Sequence, residues 1–187
     1  MAAMQDLEEH IKELSATVIA SSFGTHQDDY LQYRHYRNKR KRIDRFTLSG
    51  ILNTMKKTLD TDKDPIHHYK KEHGIVPPWI LFKSIYFSTI INFIDQFKIA
   101  EQNKLIHKLY DTDSISLEEA NLRMLMIDTL YICLGYRNKA AHGGRIYNYI
   151  CPNALRVHEI FGDPFSFNVN GFSQLLFVLS LLDYQSP

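Results

Sequence analysis

Apolar positions recur along the chain at helical spacing and nowhere alternate for long. Leu7, Ile11, Leu14 and Val18 stand four, three and four residues apart, which predicts an amphipathic first helix. Ser21 to Thr25, with Gly24, break it. Asp28 and Asp29 suit the positive end of a second helix, expected to carry Tyr30, Tyr33 and the basic residues after them. A third stripe holds Ile51, Leu52, Met55 and Leu59, and DTDKDP from Asp60 to Pro65 reads as a loop.

Pro77 and Pro78 precede WILFKSIYFSTIINFIDQF, which is apolar nearly all round. Proline is tolerated in a first helical turn, so this run predicts one central core helix that includes Trp79, with a more polar helix at Ala100–Tyr110 continuing it. Ser116-Leu-Glu-Glu119 fits a capping box for a long helix through Leu122, Met126, Leu130 and Cys133, ended by Gly143 and Gly144. A short helix at Ala154–Phe161 and a last one at Phe172–Leu182 complete an all-α bundle. The expected organisation is an N-terminal helical extension with a basic segment, residues 1–60, and a helical core, residues 61–187.

Composition adds little to this picture. Of the 187 residues, 44% are hydrophobic and 23% charged, as in ordinary globular chains, and the net charge is +1. Any attraction to nucleic acid must therefore come from local clustering. Two cysteines, Cys133 and Cys151, make neither a disulfide framework nor a zinc motif, and Cys133 on its apolar stripe reads as an inert packed thiol. The acidic start MAAMQDLEEHIKEL lacks the apolar centre of a signal peptide. The uncharged run from Pro164 to Leu182 holds Asn168, Asn170, Gly171 and Gln174, so it reads as a loop and buried helix. The expectation is a cytoplasmic protein with no membrane contact.

Clustering does occur. RHYRNKRKRIDR carries seven Lys or Arg in twelve residues and only Asp44 as an acid. If helical, Arg34, Arg37 and Lys41 share a face, with Lys39, Arg40 and Arg42 beside it and Tyr33 and Tyr36 near enough to stack on bases. That predicts a phosphate-gripping, salt-sensitive surface, with a solvated helix face as the plainer alternative. His67, His68 and His73 lie close in sequence, but they lack a metal-ligand spacing and are expected to bind none. No cofactor is expected.

The tetrapeptide YRNK occurs at Tyr36–Lys39 and again at Tyr136–Lys139, where it continues AAHGGR. Arg137 extends the apolar stripe of the long helix. His142, five residues on, stands roughly 140° round the same helix, at the point where the double glycine lets it end. A charged group on an inward stripe beside a titratable one is costly and is kept mostly at sites. In the first copy, Arg42 stands where the histidine would be, so no proton is handled there. A structural reading stays open: Arg137 paired with Asp128 or Asp95, and His142 favouring the last carbonyls of the helix.

RNKAAH resembles the R-x4-6-H signature of the HEPN superfamily, helical-bundle proteins many of which are metal-independent RNases. DPIHHYKKEHGIVPPWILFKSIYFSTI, followed by YRNKAAHGGRIYN, is similar to Abi-like abortive-infection proteins of the AbiD and AbiF type. The resemblance implies an endoribonuclease leaving 2′,3′-cyclic phosphate and 5′-hydroxyl ends, in phage defence or as a toxin. His142 would act as general acid or base, Arg137 on the phosphorane, and Asn138 in orientation, with Lys139 and Arg145 on the RNA. It further implies a homodimer with a composite site and a possible antitoxin or regulatory RNA. Adenylylated HEPN toxins carry a tyrosine two residues after the histidine, where this chain has Gly144. A non-catalytic RNA- or protein-binding module of the same fold, or a plain helical interaction protein, remains the alternative.

Overall fold

The computed structural model describes residues 2–162 and 171–183, and every regular element among them is helical. In chain order these are α1 (Ala2–Phe23), α2 (Gln27–Tyr30), α3 (Leu48–Leu59), α4 (Ile66–His73), α5 (Pro78–Lys83), α6 (Phe87–Ile94), α7 (Ile99–Leu109), α8 (Glu119–Ala141), α9 (Val157–Phe161) and α10 (Gly171–Ser180). Two short 3-10 turns, Tyr33–His35 and Asp44–Phe46, lie between α2 and α3. Among the described residues no helix is long and apolar enough to cross a membrane. The chain forms two compact units, Glu8–Gln102 and Met1–Leu7 with Asn103–Pro187.

In the Glu8–Gln102 unit, α3 forms where its stripe predicts. The Thr47 side chain accepts from the Gly50 N–H at 3.1 Å and caps the helix, and Leu48, Ile51, Leu52, Met55 and Leu59 are all buried. The core beside it is aromatic. The Tyr36 ring lies 4.6 Å from Phe93 and 5.7 Å from Phe23, and Phe93 meets Phe97 edge-on at 5.2 Å.

Three expectations fail in this unit. The second helix stops at Tyr30, and the basic residues after Tyr36 are not helical. In a helix those cations would sit three and four apart and repel; extended, they separate and reach acceptors elsewhere. The single central helix is also two, α5 and α6, broken at Ser84–Tyr86. At the break Ile85 and Phe87 are both 3% exposed and Tyr86 between them is 83% exposed, an in–out–in order that a turn provides and one helical face does not. Pro78 does stand in the first turn of α5. Trp79 beside it, expected in the core, is 41% exposed.

In the other unit α8 is the long element, and α9 and α10 pack on it. The capping box at Ser116 does not form. Glu118 is the N-cap without a side-chain bond, and the Glu119 carboxylate accepts instead from Asn103 at 2.6 Å and Arg123 at 3.4 Å. α9 and α10 begin and end within three residues of expectation, while Asn168 and Asn170 lie outside the described residues. Asp128 of α8 holds Arg156 through Nε at 3.0 Å and Nη2 at 2.9 Å, fixing the approach to α9. Gly135 lets the following loop close on α8, because a Cβ there would stand 2.5 Å from the Cys151 sulfur. Gly135→Ala should therefore overpack this contact and cost about 1–3 kcal/mol in urea unfolding, and Gly135→Ala with Cys151→Ala should recover most of the loss.

Candidate functional site

The last turn of α8 sets the geometry of the Arg–His motif. His142 is the C-cap, and its N–H donates to Asn138 O at 3.1 Å. Gly143 comes next, in the left-handed region at φ 69°, donating to Ala140 O at 3.0 Å, and Gly144 donates to Lys139 O at 2.9 Å. This pair of bonds is a Schellman closure, and a side chain at Gly143 would be strained in that conformation. It ends α8 at the histidine and leaves the imidazole exposed at the rim.

Arg137 is half-buried on the same final stretch of α8, while Tyr136 takes the fully buried place. Arg137 Nη1 points to the Asn138 side-chain oxygen Oδ1 at 3.5 Å, the outer limit of a hydrogen bond, and Asn138 is exposed. Asp128 and Asp95, the carboxylates weighed as structural partners for Arg137, bind Arg156 and a pair of lysines respectively. The Tyr136 hydroxyl donates to Tyr149 O at 2.7 Å and its ring meets the Tyr149 ring edge-on at 5.1 Å, anchoring the loop after the glycines. Burial pushes the phenols of Tyr136 and Tyr149 up from their ordinary value, and the buried Cys133 thiol up to about 12, so Cys133 stays protonated.

Lys139, expected on RNA, folds its stem over Gly144, where a Cβ would collide with it. Its ammonium lies 5.5 Å from the Tyr149 ring centroid. Arg145 and Tyr147 are exposed just beyond. Thus the last turn of α8 and the loop after it carry Arg137, Asn138, Lys139, His142 and Arg145 within one unit.

The basic segment belongs to the other unit and is held extended by two residues, Asp95 and Gln96. Gln96 O accepts the Arg37 N–H at 2.6 Å. The Gln96 side chain accepts from the Lys39 N–H at 2.8 Å and donates to Lys39 O at 3.1 Å. Lys39 Nζ lies 2.8 Å from Asp95 Oδ1, and Lys41 Nζ pairs with Asp95 Oδ2. Because alternate residues of an extended chain face the same way, Lys39 and Lys41 meet the acid together. Arg34, Arg37, Arg40 and Arg42 are exposed. Tyr36 is core rather than a stacking platform, and Tyr33 is 45% exposed. A carboxylate inside IINFIDQF was the available signal, since a buried acid demands a cation.

His67, His68 and His73 all fall on α4, with His68 and His73 edge-on at 6.2 Å. Among the described residues no group of side chains is placed to hold a metal ion.

Residues 1–148 match a family model described as Abi-like protein, and this span contains both the basic segment and the Arg–His motif. No curated protein and no solved structure matches the chain.

Two measurements probe this geometry. Gly143→Ala should lower stability by about 1 kcal/mol in chemical denaturation, since alanine resists the left-handed conformation. For Asp95, burial pushes the carboxyl up, but hydrogen bonds and charge from Lys39 and Lys41 outweigh it and hold the group below its ordinary 3.8. A depressed acid stabilises the fold above that value and loses the contribution as pH falls through the folded one. Asp95→Asn should therefore cost about 2 kcal/mol at pH 7 and flatten the loss of urea midpoint below about pH 4.

Proposed function

The chain belongs to the Abi-like protein family, and on that premise we propose that it is a metal-independent endoribonuclease of the HEPN type, acting in phage defence or growth control in the cytoplasm. The observation that carries this reading is the closure of α8, which presents His142 to solvent five residues beyond the half-buried Arg137 on the same helix end, inside the span the family covers. Tyr136 fills the core position of that turn, so packing does not call for Arg137 to lie inward.

The chemistry is balanced without a metal. The ribose 2′-oxygen attacks phosphorus, its proton passing to a general base, while the bond to the 5′-oxygen breaks and that oxygen takes a proton from a general acid. His142 serves one of these transfers, because an imidazole can give or take a proton near neutrality. Arg137 meets the charge that builds on the phosphorane with two N–H groups. Asn138 orients the guanidinium or the phosphate. A homodimer that pairs the two motifs brings a second imidazole to the phosphodiester, so that one serves as base and the other as acid. The products are then a 2′,3′-cyclic phosphate and a 5′-hydroxyl. Arg145, Arg34, Arg37, Arg40 and Arg42 bind the RNA backbone, with Lys39 and Lys41 serving mainly to hold the segment. An antitoxin protein or RNA restrains the activity in a healthy cell.

The second reading is a non-catalytic RNA-binding module, favoured by the exposed arginines on their clamped, extended segment. One experiment separates the two. Total RNA incubated with the protein in EDTA should be cut, and Arg137→Ala and His142→Ala should each lower the rate at least ~100-fold without shifting the unfolding midpoint. Undiminished cleavage in both variants removes the assignment of these residues. Salt-dependent RNA retention without cleavage identifies the binding module, and Arg40→Glu with Arg42→Glu should then reduce the salt slope by roughly 1.4.

A further inference from the structure

Within the Glu8–Gln102 unit, a cavity of about 730 Å³ opens between α2, the Tyr33–His35 turn, the end of α3 and α4. Its size is that of a small-molecule site. Leu31, Leu59 and Val76 are buried and give it an apolar floor. Three cations from three different elements, Arg34, Lys56 and Lys70, stand around it, against two carboxylates, Asp28 and Asp60, on the same lining. Lys70 is fixed there by Leu59 O at 3.2 Å and Asp60 Oδ1 at 3.5 Å. Tyr33, also on the lining, is 45% exposed and offers a ring face.

Two amides complete the lining with complementary capacity. Gln27 uses its carbonyl oxygen on the Val76 N–H at 2.9 Å, which leaves its NH2 as the donor. Gln32 uses its NH2 on Asp28 O at 2.9 Å, which leaves its carbonyl oxygen as the acceptor. Cations, an aromatic face and a donor–acceptor pair over an apolar floor match the parts of one molecule: phosphate, base plane and base edge.

We infer that this cavity binds a nucleoside phosphate, with Arg34, Lys56 and Lys70 on the phosphate and Tyr33 on the base. This goes beyond the nuclease reading and does not depend on Arg137 or His142. A neighbouring cleft of about 420 Å³ in the same unit makes the contrast. Its Thr54 and Thr58 hydroxyls already donate to Gly50 O and Thr54 O, so they turn lone pairs outward and suit an anion poorly, although Lys57 and Lys63 line it with Asp64, and no aromatic ring does. Lys56 and Lys57 are thus adjacent exposed lysines on different cavities.

The test is isothermal titration calorimetry of the full chain with AMP, ATP, inorganic pyrophosphate and a 5′-phosphorylated RNA tetramer. AMP or ATP should bind, at least tenfold more weakly in Lys56→Glu and unchanged in Lys57→Glu. Tyr33→Ala should weaken the nucleotides more than pyrophosphate. Binding of the tetramer alone with the same dependence on Lys56 and Tyr33 assigns the nucleoside phosphate to an RNA end rather than a free nucleotide. A wild-type protein that ignores every probe at millimolar concentration overturns the inference, as does a Lys57→Glu variant as weak as Lys56→Glu. RNA cleavage is not read here, so failure of the nuclease reading leaves this result unaffected.

Discussion

A helix of 23 residues must leave its last carbonyls somewhere, and in α8 the Gly143 and Gly144 N–H groups take two of them. That closure determines more than a helix end. It forces a left-handed residue after His142, so the backbone turns away and the imidazole stands at the rim instead of lying along the barrel of the helix. It brings Gly144 under the Lys139 stem, and the loop that leaves it is pinned by Tyr136 through Tyr149. The distance in sequence between Arg137 and His142 acquires a fixed meaning only because the helix ends where it does.

The two YRNK tetrapeptides show how little four residues decide alone. In both, the tyrosine is buried, at 5% and 1% exposure, and the three polar residues lie outside the core. Their C-terminal neighbours set the backbone. Alanines continue a helix, and a double glycine ends it. A run of four cations cannot stay helical at tolerable repulsion and is drawn out along Asp95 and Gln96. The same letters therefore lie on a helix rim in one unit and in an extended strap in the other.

Much of the fold was legible because burial writes a period into the sequence. α3, α8 and the all-helical class follow from stripes that packing had no reason to override. The break between α5 and α6 was not legible, because a run that is apolar nearly all round carries no phase: Ile85, Tyr86 and Phe87 look alike to a pattern and differ only once the turn exposes the middle one. Trp79 escaped for the same reason. The capping box at Ser116 was a correct motif whose glutamate had a better partner in Asn103, a contact sixteen residues away that no local rule reports. In the motif itself, Gly143 and Gly144 announced the helix end, whereas the use of Lys39 and Lys41 by Asp95 required a residue more than fifty positions distant.

That last contact changes what a basic stretch means. Counted along the chain, Arg34 to Arg42 is a block of six positive charges. In space, two of them neutralise one carboxylate that burial would otherwise drive toward its protonated form, and they do so from a backbone that Gln96 holds at both its N–H and its C=O. The charge left for a ligand is smaller, but it is ordered: a strap fixed on one side loses less conformational entropy on binding than a free tail would. Charge density along the sequence therefore overstates the number of cations left over while missing their order.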